Sequence, residues 1–205
     1  CSTIAHAITE NMTLQEAGRL PEGLPPRIRE RALLVLAGRA TTDDLSASAV
    51  SLAEVLQRNA GDEGLQKEGA GIAADAVQRM VHDEAPREAA VWVQALPAGT
   101  AKTAATEKLV SEWAEADAAA ASEWVTALPA GEVRGAAVNA LIEAIAGSEP
   151  ERALEWAKSI PAAGPRTEQI GRIMRQWLPA APFAAMRAVE ALPEEVRFAI
   201  WSQEE

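Results

Sequence analysis

Apolar residues recur at helical spacing in the second half of the chain. Positions i, i+3, i+4 and i+7 are apolar in four successive segments, which places those side chains on one face of a helix. The segments hold Ala89, Trp92, Val93 and Leu96; Ala121, Trp124, Val125 and Leu128; Ala153, Trp156, Ala157 and Ile160; and Ala185, Ala188, Val189 and Leu192. Each segment predicts an amphipathic helix, the first over about residues 86–96.

A second helix is predicted after each of the first three. Its core positions have the same spacing and hold Thr106, Leu109, Val110 and Trp113; Val138, Leu141, Ile142 and Ile145; and Ile170, Ile173, Met174 and Trp177. The first of these helices should span about residues 100–114. Two antiparallel helices joined by a short loop form a helical hairpin. Nothing alternates with the period of a strand, so the predicted class is all-α.

Prolines punctuate this pattern at a constant interval. Pro97, Pro129, Pro161 and Pro193 are 32 residues apart. A proline ends a helix because it lacks an N–H and restricts the residue before it. The start of a helix is marked at Ser148-Glu149-Pro150-Glu151, where we expect Ser148 as N-cap and Glu151 in a capping box. A fixed period of this length is typical of a solenoid, whose repeats stack because none buries its apolar face alone.

The two ends of the chain depart from the regular pattern. Glu195-Val196-Arg197 repeats Glu132-Val133-Arg134 once one loop residue is deleted, which places Trp201 in a core position and predicts a short terminal cap. Four helical segments are expected in the degenerate front part, residues 1–85. They hold Ile4, Ile8, Leu14 and Ala17; residues 27–39; Leu45 to Leu56, capped from Thr42-Asp43-Asp44; and residues 65–81 with Ala74, Val77 and Val81 in the core. The sequence thus predicts one α/α superhelical solenoid domain over residues 1–205, with five to six hairpins in a right-handed stack and regular repeats over residues 86–205.

Charge and composition narrow the classes of partner. The net charge is -11 and the acidic residues are spread evenly, which argues against a nucleic-acid partner. No run of 18 apolar residues is present to span a bilayer. Cys1-Ser2 resembles the new N-terminus of a processed bacterial lipoprotein, so a lipid on Cys1 is the predicted membrane contact. The alternative is an arbitrary chain boundary that falls on a cysteine.

Two groups of residues are candidates for a site. Five tryptophans, at 92, 113, 124, 156 and 177, occupy predicted core positions, so packing is favoured over exposed ligand binding. The basic residues Lys102, Arg134 and Arg166 are 32 apart, and Arg197 joins them after the loop deletion. In a solenoid they would form a row suited to an acidic peptide or polymer. The alternative is that they pair locally with glutamates such as Glu132 and Glu168, or cover apolar surface.

Other chemistry is sparse. His82-Asp83-Glu84 falls in a predicted loop, where acidic residues usually cap helices, and His6 is solitary. Metal-ligand spacing, phosphate loops and Cys/His pairs are missing from the sequence, so no metal and no cofactor are expected.

Paired helices with small residues at fixed positions, a tryptophan in the first helix and a proline at the turn resemble the α/α solenoids of the TPR and HEAT type. The likeness covers residues 86–205 well and the front loosely, although the 32-residue period and the missing Trp-Leu-Gly-Tyr pattern depart from TPR. The Trp and Leu-Pro pattern is more similar to repeats in uncharacterised bacterial envelope proteins. The resemblance implies a binding surface for other proteins and no activity.

The predicted function is a non-catalytic scaffold of the bacterial cell envelope that binds a protein or peptide. Its expected location is periplasmic or anchored to the outer membrane, with the cytoplasm as the alternative. Two other functions stay open: a helical enzyme that acts on a polysaccharide through carboxylates on its concave face, and a spacer within a larger protein. A deep pocket with two converging carboxylates would favour the enzyme, and an open groove would favour the scaffold.

Overall fold

The computed structural model describes residues 2–10, 12–39 and 45–201, and the described part of the chain contains helices but no strand. The α-helices are α1 (Ser2–Thr9), α2 (Pro26–Gly38), α3 (Leu45–Arg58), α4 (Glu63–His82), α5 (Pro86–Ala95), α6 (Thr100–Ala127), α7 (Glu132–Ile145), α8 (Pro150–Lys158), α9 (Ala163–Ala180), α10 (Pro182–Glu190) and α11 (Glu194–Trp201). A 3-10 helix, Leu14–Arg19, follows α1. The predicted all-α class is confirmed.

The chain forms two compact units, Cys1–Leu109 and Val110–Glu205, whose boundary falls within α6. In the first unit, α2 packs against α1, α3 and α4, and α5 packs against α3 and α4. In the second unit, α8 packs against α7 and α9, while α10 and α11 both pack against α9. Each unit is therefore built from neighbouring helices that pack in chain order. The single continuous solenoid stays a prediction.

Prolines mark the helix boundaries as predicted. Pro86, Pro150 and Pro182 are the first residues of α5, α8 and α10. Helix α5 ends before Leu96, whose ψ of 144° is the extended conformation that a following proline imposes. The N-cap prediction at Ser148 is wrong. Glu149 precedes α8 without a capping bond, and the Ser148 hydroxyl instead donates to the carbonyl of Ile145 in the last turn of α7.

Helix α6 joins two segments that the sequence predicts as separate helices. Its only break is at Asp117, whose backbone is extended at φ -149° and ψ 86°. The Asp117 carboxylate accepts a hydrogen bond from the N–H of Ala120 at 3.0 Å, which caps the second segment. The position equivalent to Pro150 is Ala118 here, so no proline separates the two segments with a longer turn.

The predicted apolar faces form most of the core. Trp92, Trp113 and Trp177 are 1%, 6% and 4% exposed, and the core positions of α7 and α9 are buried. Trp124 and Trp156 are half-buried, so the prediction that all five tryptophans are core residues is only partly right. An indole is so large that one edge often reaches solvent. The rings of Trp113 and Trp124 contact each other with centroids 6.4 Å apart.

The register of α4 differs from the prediction by one position. Val77 is buried as expected, but Ala74 and Val81 are only half-buried. Helix α4 buries Leu65, Gly69, Ala73, Ala76, Val77 and Met80. A Cβ at Gly69 would lie 2.5 Å from Cδ2 of Leu56, so a larger residue there would force the buried Leu56 side chain to shift.

The remaining predictions concern the front and the ends of the chain. The first expected segment is divided between α1 and the 3-10 helix, and Ile4 is 50% exposed rather than buried. Cys1, the predicted caps Thr42-Asp43-Asp44 and the polar residues 202–205 lie outside the described residues. The same holds for the side chain of Trp201.

Candidate functional site

Two of the four predicted site cations close the turn that precedes them. In the first unit, Nζ of Lys102 donates to the carbonyl oxygens of Gln94 and Leu96, both at 2.8 Å. In the second unit, Nη1 of Arg166 donates to the carbonyl oxygens of Ile160 at 3.0 Å and Pro161 at 3.4 Å. These carbonyls lie at or just after a helix end, where intrahelical partners are missing. Both cations therefore pair locally, as the alternative to a binding row predicted, but their acceptors are backbone carbonyls and not glutamates.

Lys102 is partly withdrawn from water at this turn. Burial lowers the pKa of the Lys102 ammonium from its ordinary value, because a buried site disfavours the charged form. Its two short bonds to carbonyl oxygens use donors that a ligand would otherwise need. Lys102 thus acts as a structural clamp on the end of α5.

Arg134 is placed differently. It lies on the first turn of α7 and is half-buried, and none of the described residues accepts a hydrogen bond from its guanidinium or forms an ion pair with it. Helix α7 begins after Gly131, which has a φ of 151° and no side chain to cap the first turn. An unpaired guanidinium keeps all five of its N–H donors for a ligand.

A cleft of about 520 Å³ opens beside Arg134, between the start of α7 and the turn that follows α8. The lining residues are Ala130, Gly131, Arg134, Gly135, Val138, Asn139, Ser159, Ile160, Pro161, Ala162 and Pro165. Most of these side chains are apolar, and Arg134 is the one charged residue among them. A cleft of this size accommodates a small ligand or a few peptide residues.

An amide pair borders the same cleft. Asn139 lines it, and the Asn139 side-chain oxygen accepts a hydrogen bond from Nε2 of Gln169 at 3.3 Å. Gln169 is 8% exposed, and its Oε1 finds no partner within the part of the chain that the structure describes. The equivalent positions 32 and 64 residues earlier are Ala137 and Ala105, both fully buried. Sequence reasoning missed this residue, although a glutamine among buried alanines was the signal.

Arg197 lies on α11 and is half-buried, but it is not among the residues that line this cleft. Arg166 is connected to the cleft, since it bonds to the carbonyls of Ile160 and Pro161, both lining residues. Arg134 therefore lines the cleft, whereas Arg166 supports its wall by bonding to the turn and does not line it. The proposed row of four cations is not established, because Lys102 belongs to the other unit.

The first unit has a smaller, uncharged cleft at its own proline turn. It has a volume of about 200 Å³ and lies between the end of α3, Gln66 of α4 and the turn from Pro97 to Ala101. The side chain of Gln66 is bonded to the carbonyl oxygens of Leu56 and Asn59. This cleft therefore offers no charged group to a ligand.

His82-Asp83-Glu84 forms the end of α4. Glu84 has a φ of 60°, its N–H donates to the Val81 carbonyl, and the N–H of Ala85 donates to the Met80 carbonyl. These two bonds define a Schellman motif, which satisfies the last carbonyls of a helix. Within the described residues, no group of three His, Cys, Asp or Glu side chains is arranged to hold a metal ion.

Among the described helices, none has the length and apolar character needed to cross a membrane. No protein-family model, no curated protein and no solved structure matches the chain.

Proposed function

We propose that the protein is a non-catalytic scaffold that binds a protein or peptide, and that the cleft beside Arg134 holds an acidic residue of that partner. The observation that carries this proposal is Arg134, a half-buried residue that lines the cleft and whose guanidinium is unpaired among the described residues. Lys102 and Arg166 have the same place in the sequence pattern, but their donors are used by turn carbonyls.

The chemistry of the cleft favours a carboxylate flanked by apolar groups. A guanidinium binds a carboxylate through two parallel N–H···O bonds, and a site shielded from water strengthens the pair. Val138, Ile160 and Pro161 provide apolar walls for the aliphatic side chains beside the acidic residue. Since the protein carries a net charge of -11, this recognition depends on the local contact rather than on overall attraction.

The lining residues favour binding over catalysis. Hydrolysis of a glycosidic bond usually requires two carboxyl groups on opposite sides of that bond. Neither the cleft at Arg134 nor the one at Pro97 is lined by an aspartate or a glutamate. We therefore favour a binding scaffold over an enzyme that acts on a polysaccharide.

The finer architecture and the setting belong to the same proposal. We propose an α/α solenoid of the TPR or HEAT type, supported by the packing of helices in chain order within each unit.

We propose the bacterial envelope as the location, with attachment through a lipid on Cys1, supported by Cys1-Ser2 alone. Mass spectrometry of the native protein should find Cys1 acylated at the N-terminus. An unmodified residue before Cys1 would exclude the anchor.

Selection from a peptide library tests the proposed binding. The full chain would be immobilised and panned with phage that display random dodecapeptides, in parallel with Arg134→Ala. The control variant is Arg175→Ala, which removes an exposed arginine of α9 outside the cleft. We expect enriched peptides with Asp or Glu between apolar residues, bound equally by wild type and Arg175→Ala and poorly by Arg134→Ala.

Two results would contradict the proposal. Failure to enrich any sequence over the bare support is what the spacer alternative predicts. Enriched peptides that bind Arg134→Ala as tightly as wild type would place the binding surface elsewhere.

A further inference from the structure

We infer that Asn139 is a second recognition residue of the cleft, held in position by Gln169, and that it donates to a main-chain carbonyl of the bound peptide. This inference rests on the proposed function, because it concerns the same ligand. It is carried by the amide pair, a separate observation from the unpaired Arg134.

The hydrogen bond between the two amides uses the side-chain oxygen of Asn139. Its Oδ1 accepts from Nε2 of Gln169, so the Asn139 NH₂ group remains as the donor. Asn139 is exposed and lines the cleft, where this donor is available to a ligand. A peptide carbonyl is an acceptor of matching type.

Gln169 has a position that packing alone does not explain. It is 8% exposed, its Oε1 lacks a partner among the described atoms, and alanine fills the equivalent positions 105 and 137. Leaving a buried acceptor unpaired destabilises a protein, whereas an apolar residue of similar shape would not. Rules of local consistency are usually broken at functional positions. Among the described residues, the hydrogen bond to Asn139 is the one that the Gln169 amide makes, so the amide serves to orient Asn139.

The spacing of the two residues along α7 suits a short peptide. Asn139 lies five residues after Arg134, which is about 7.5 Å along a helix axis at about 1.5 Å per residue. An extended peptide advances about 6.6 Å over two residues. The two positions are also about 140° apart around the helix, but both residues line the cleft, so a short peptide that places a glutamate on Arg134 can reach Asn139 as well.

The probe for this inference is acetyl-Ala-Val-Glu-Val-Ala-amide, which has two residues on each side of the glutamate. The peptide with Gln in place of Glu is the control ligand. Nitrogen-15 NMR of the wild-type chain would follow the side-chain NH₂ signals of Asn139, assigned by their loss in Asn139→Asp. We expect these signals to move saturably with the Glu peptide and to stay in place with the Gln peptide at equal concentrations.

Variants separate a positioning role of Gln169 from a structural one. Asn139→Ala should bind the Glu peptide about three- to tenfold more weakly, the loss of one hydrogen bond. Gln169→Met preserves shape and removes the orphan oxygen, so its melting temperature should rise while its affinity falls about threefold. A purely structural Gln169 would change the melting temperature without changing affinity.

The outcomes distinguish this inference from the proposal beneath it. If wild type binds the Glu peptide through Arg134, but Asn139→Ala and Gln169→Met bind it equally well, the inference is overturned and the proposed function stands. If wild type does not bind the Glu peptide in preference to the Gln peptide, both are overturned.

Discussion

The start of α6 in the first unit and the start of α7 in the second place a basic side chain at the same point of the sequence pattern, with different results. Lys102 reaches back and bonds to two carbonyls at the end of α5. Arg134 lines an apolar cleft and makes no such bond within the described part of the chain. The comparison shows that a regularly spaced charge does not define a binding row. Its role depends on whether nearby carbonyls use its donors.

Charge reversal at Arg134 should give the largest effect. Arg134→Glu should bind acetyl-Ala-Val-Glu-Val-Ala-amide at least tenfold more weakly than wild type, because it removes charge-assisted hydrogen bonds worth about 1.5–3 kcal/mol and adds repulsion. NMR titration measures the affinity. Arg175→Glu changes the net charge equally, on the exposed face of α9, and should bind like wild type. If both variants bound the peptide equally weakly, the loss of affinity would come from the change in net charge and not from a contact with Arg134.

Removal of the hydrogen-bond donors of Lys102 and Arg166 should lower the stability of the protein and leave peptide binding unchanged. Lys102→Met and Arg166→Met keep the apolar stems but leave turn carbonyls without donors, so each should lower the free energy of unfolding by about 1–2 kcal/mol. Arg134→Met should change it by less than about 0.5 kcal/mol. Urea denaturation followed by circular dichroism checks all three. A loss at Arg134 as large as the other two would show that it also serves the local structure.

The turns that follow Pro97 and Pro129 differ from the turn after Pro161 in their glycines. Gly99 and Gly131 have φ values of 140° and 151°, whereas the turn after Pro161 begins α9 from Ala162 at φ -75°. Alanine at either glycine should destabilise the protein by about 1 kcal/mol, since an L-residue rarely adopts this backbone. Gly147, without a positive φ, is the control, and its change to alanine should be nearly neutral by thermal melting. Equal melting temperatures for all three variants would contradict the turn geometry.

Much of the fold follows from helical spacing and proline positions. The buried faces of α5, α7 and α9 agree with the predicted ones, and the prolines mark the helix starts because a first-turn residue needs no N–H partner. These features are local, so the sequence is sufficient to predict them.

Features that depend on contacts between helices were harder to predict from the sequence. In α4, Gly69 packs closely against Leu56 of α3, and no local pattern indicates the pairing of these two residues. The separation of the two helical segments of α6 was predicted, but no sequence signal indicated that one extended residue, Asp117, would be enough to divide them.

The candidate site was predicted only in part. Arg134 was among the predicted binding residues, but its spacing is the same as that of Lys102 and Arg166. Lys102 and Arg166 differ from Arg134 in the turn carbonyls that accept their hydrogen bonds, while Arg134 has no partner among the described residues. The neighbouring Asn139 and Gln169 come together across two helices, 30 residues apart.

The most direct test of this account is nitrogen-15 NMR of the arginine side chains during titration with acetyl-Ala-Val-Glu-Val-Ala-amide. The account predicts that the Nε–H signal of Arg134 moves saturably while the signal of Arg166, engaged with the turn, keeps its position. An Arg134 signal that stays unchanged up to millimolar peptide would contradict it.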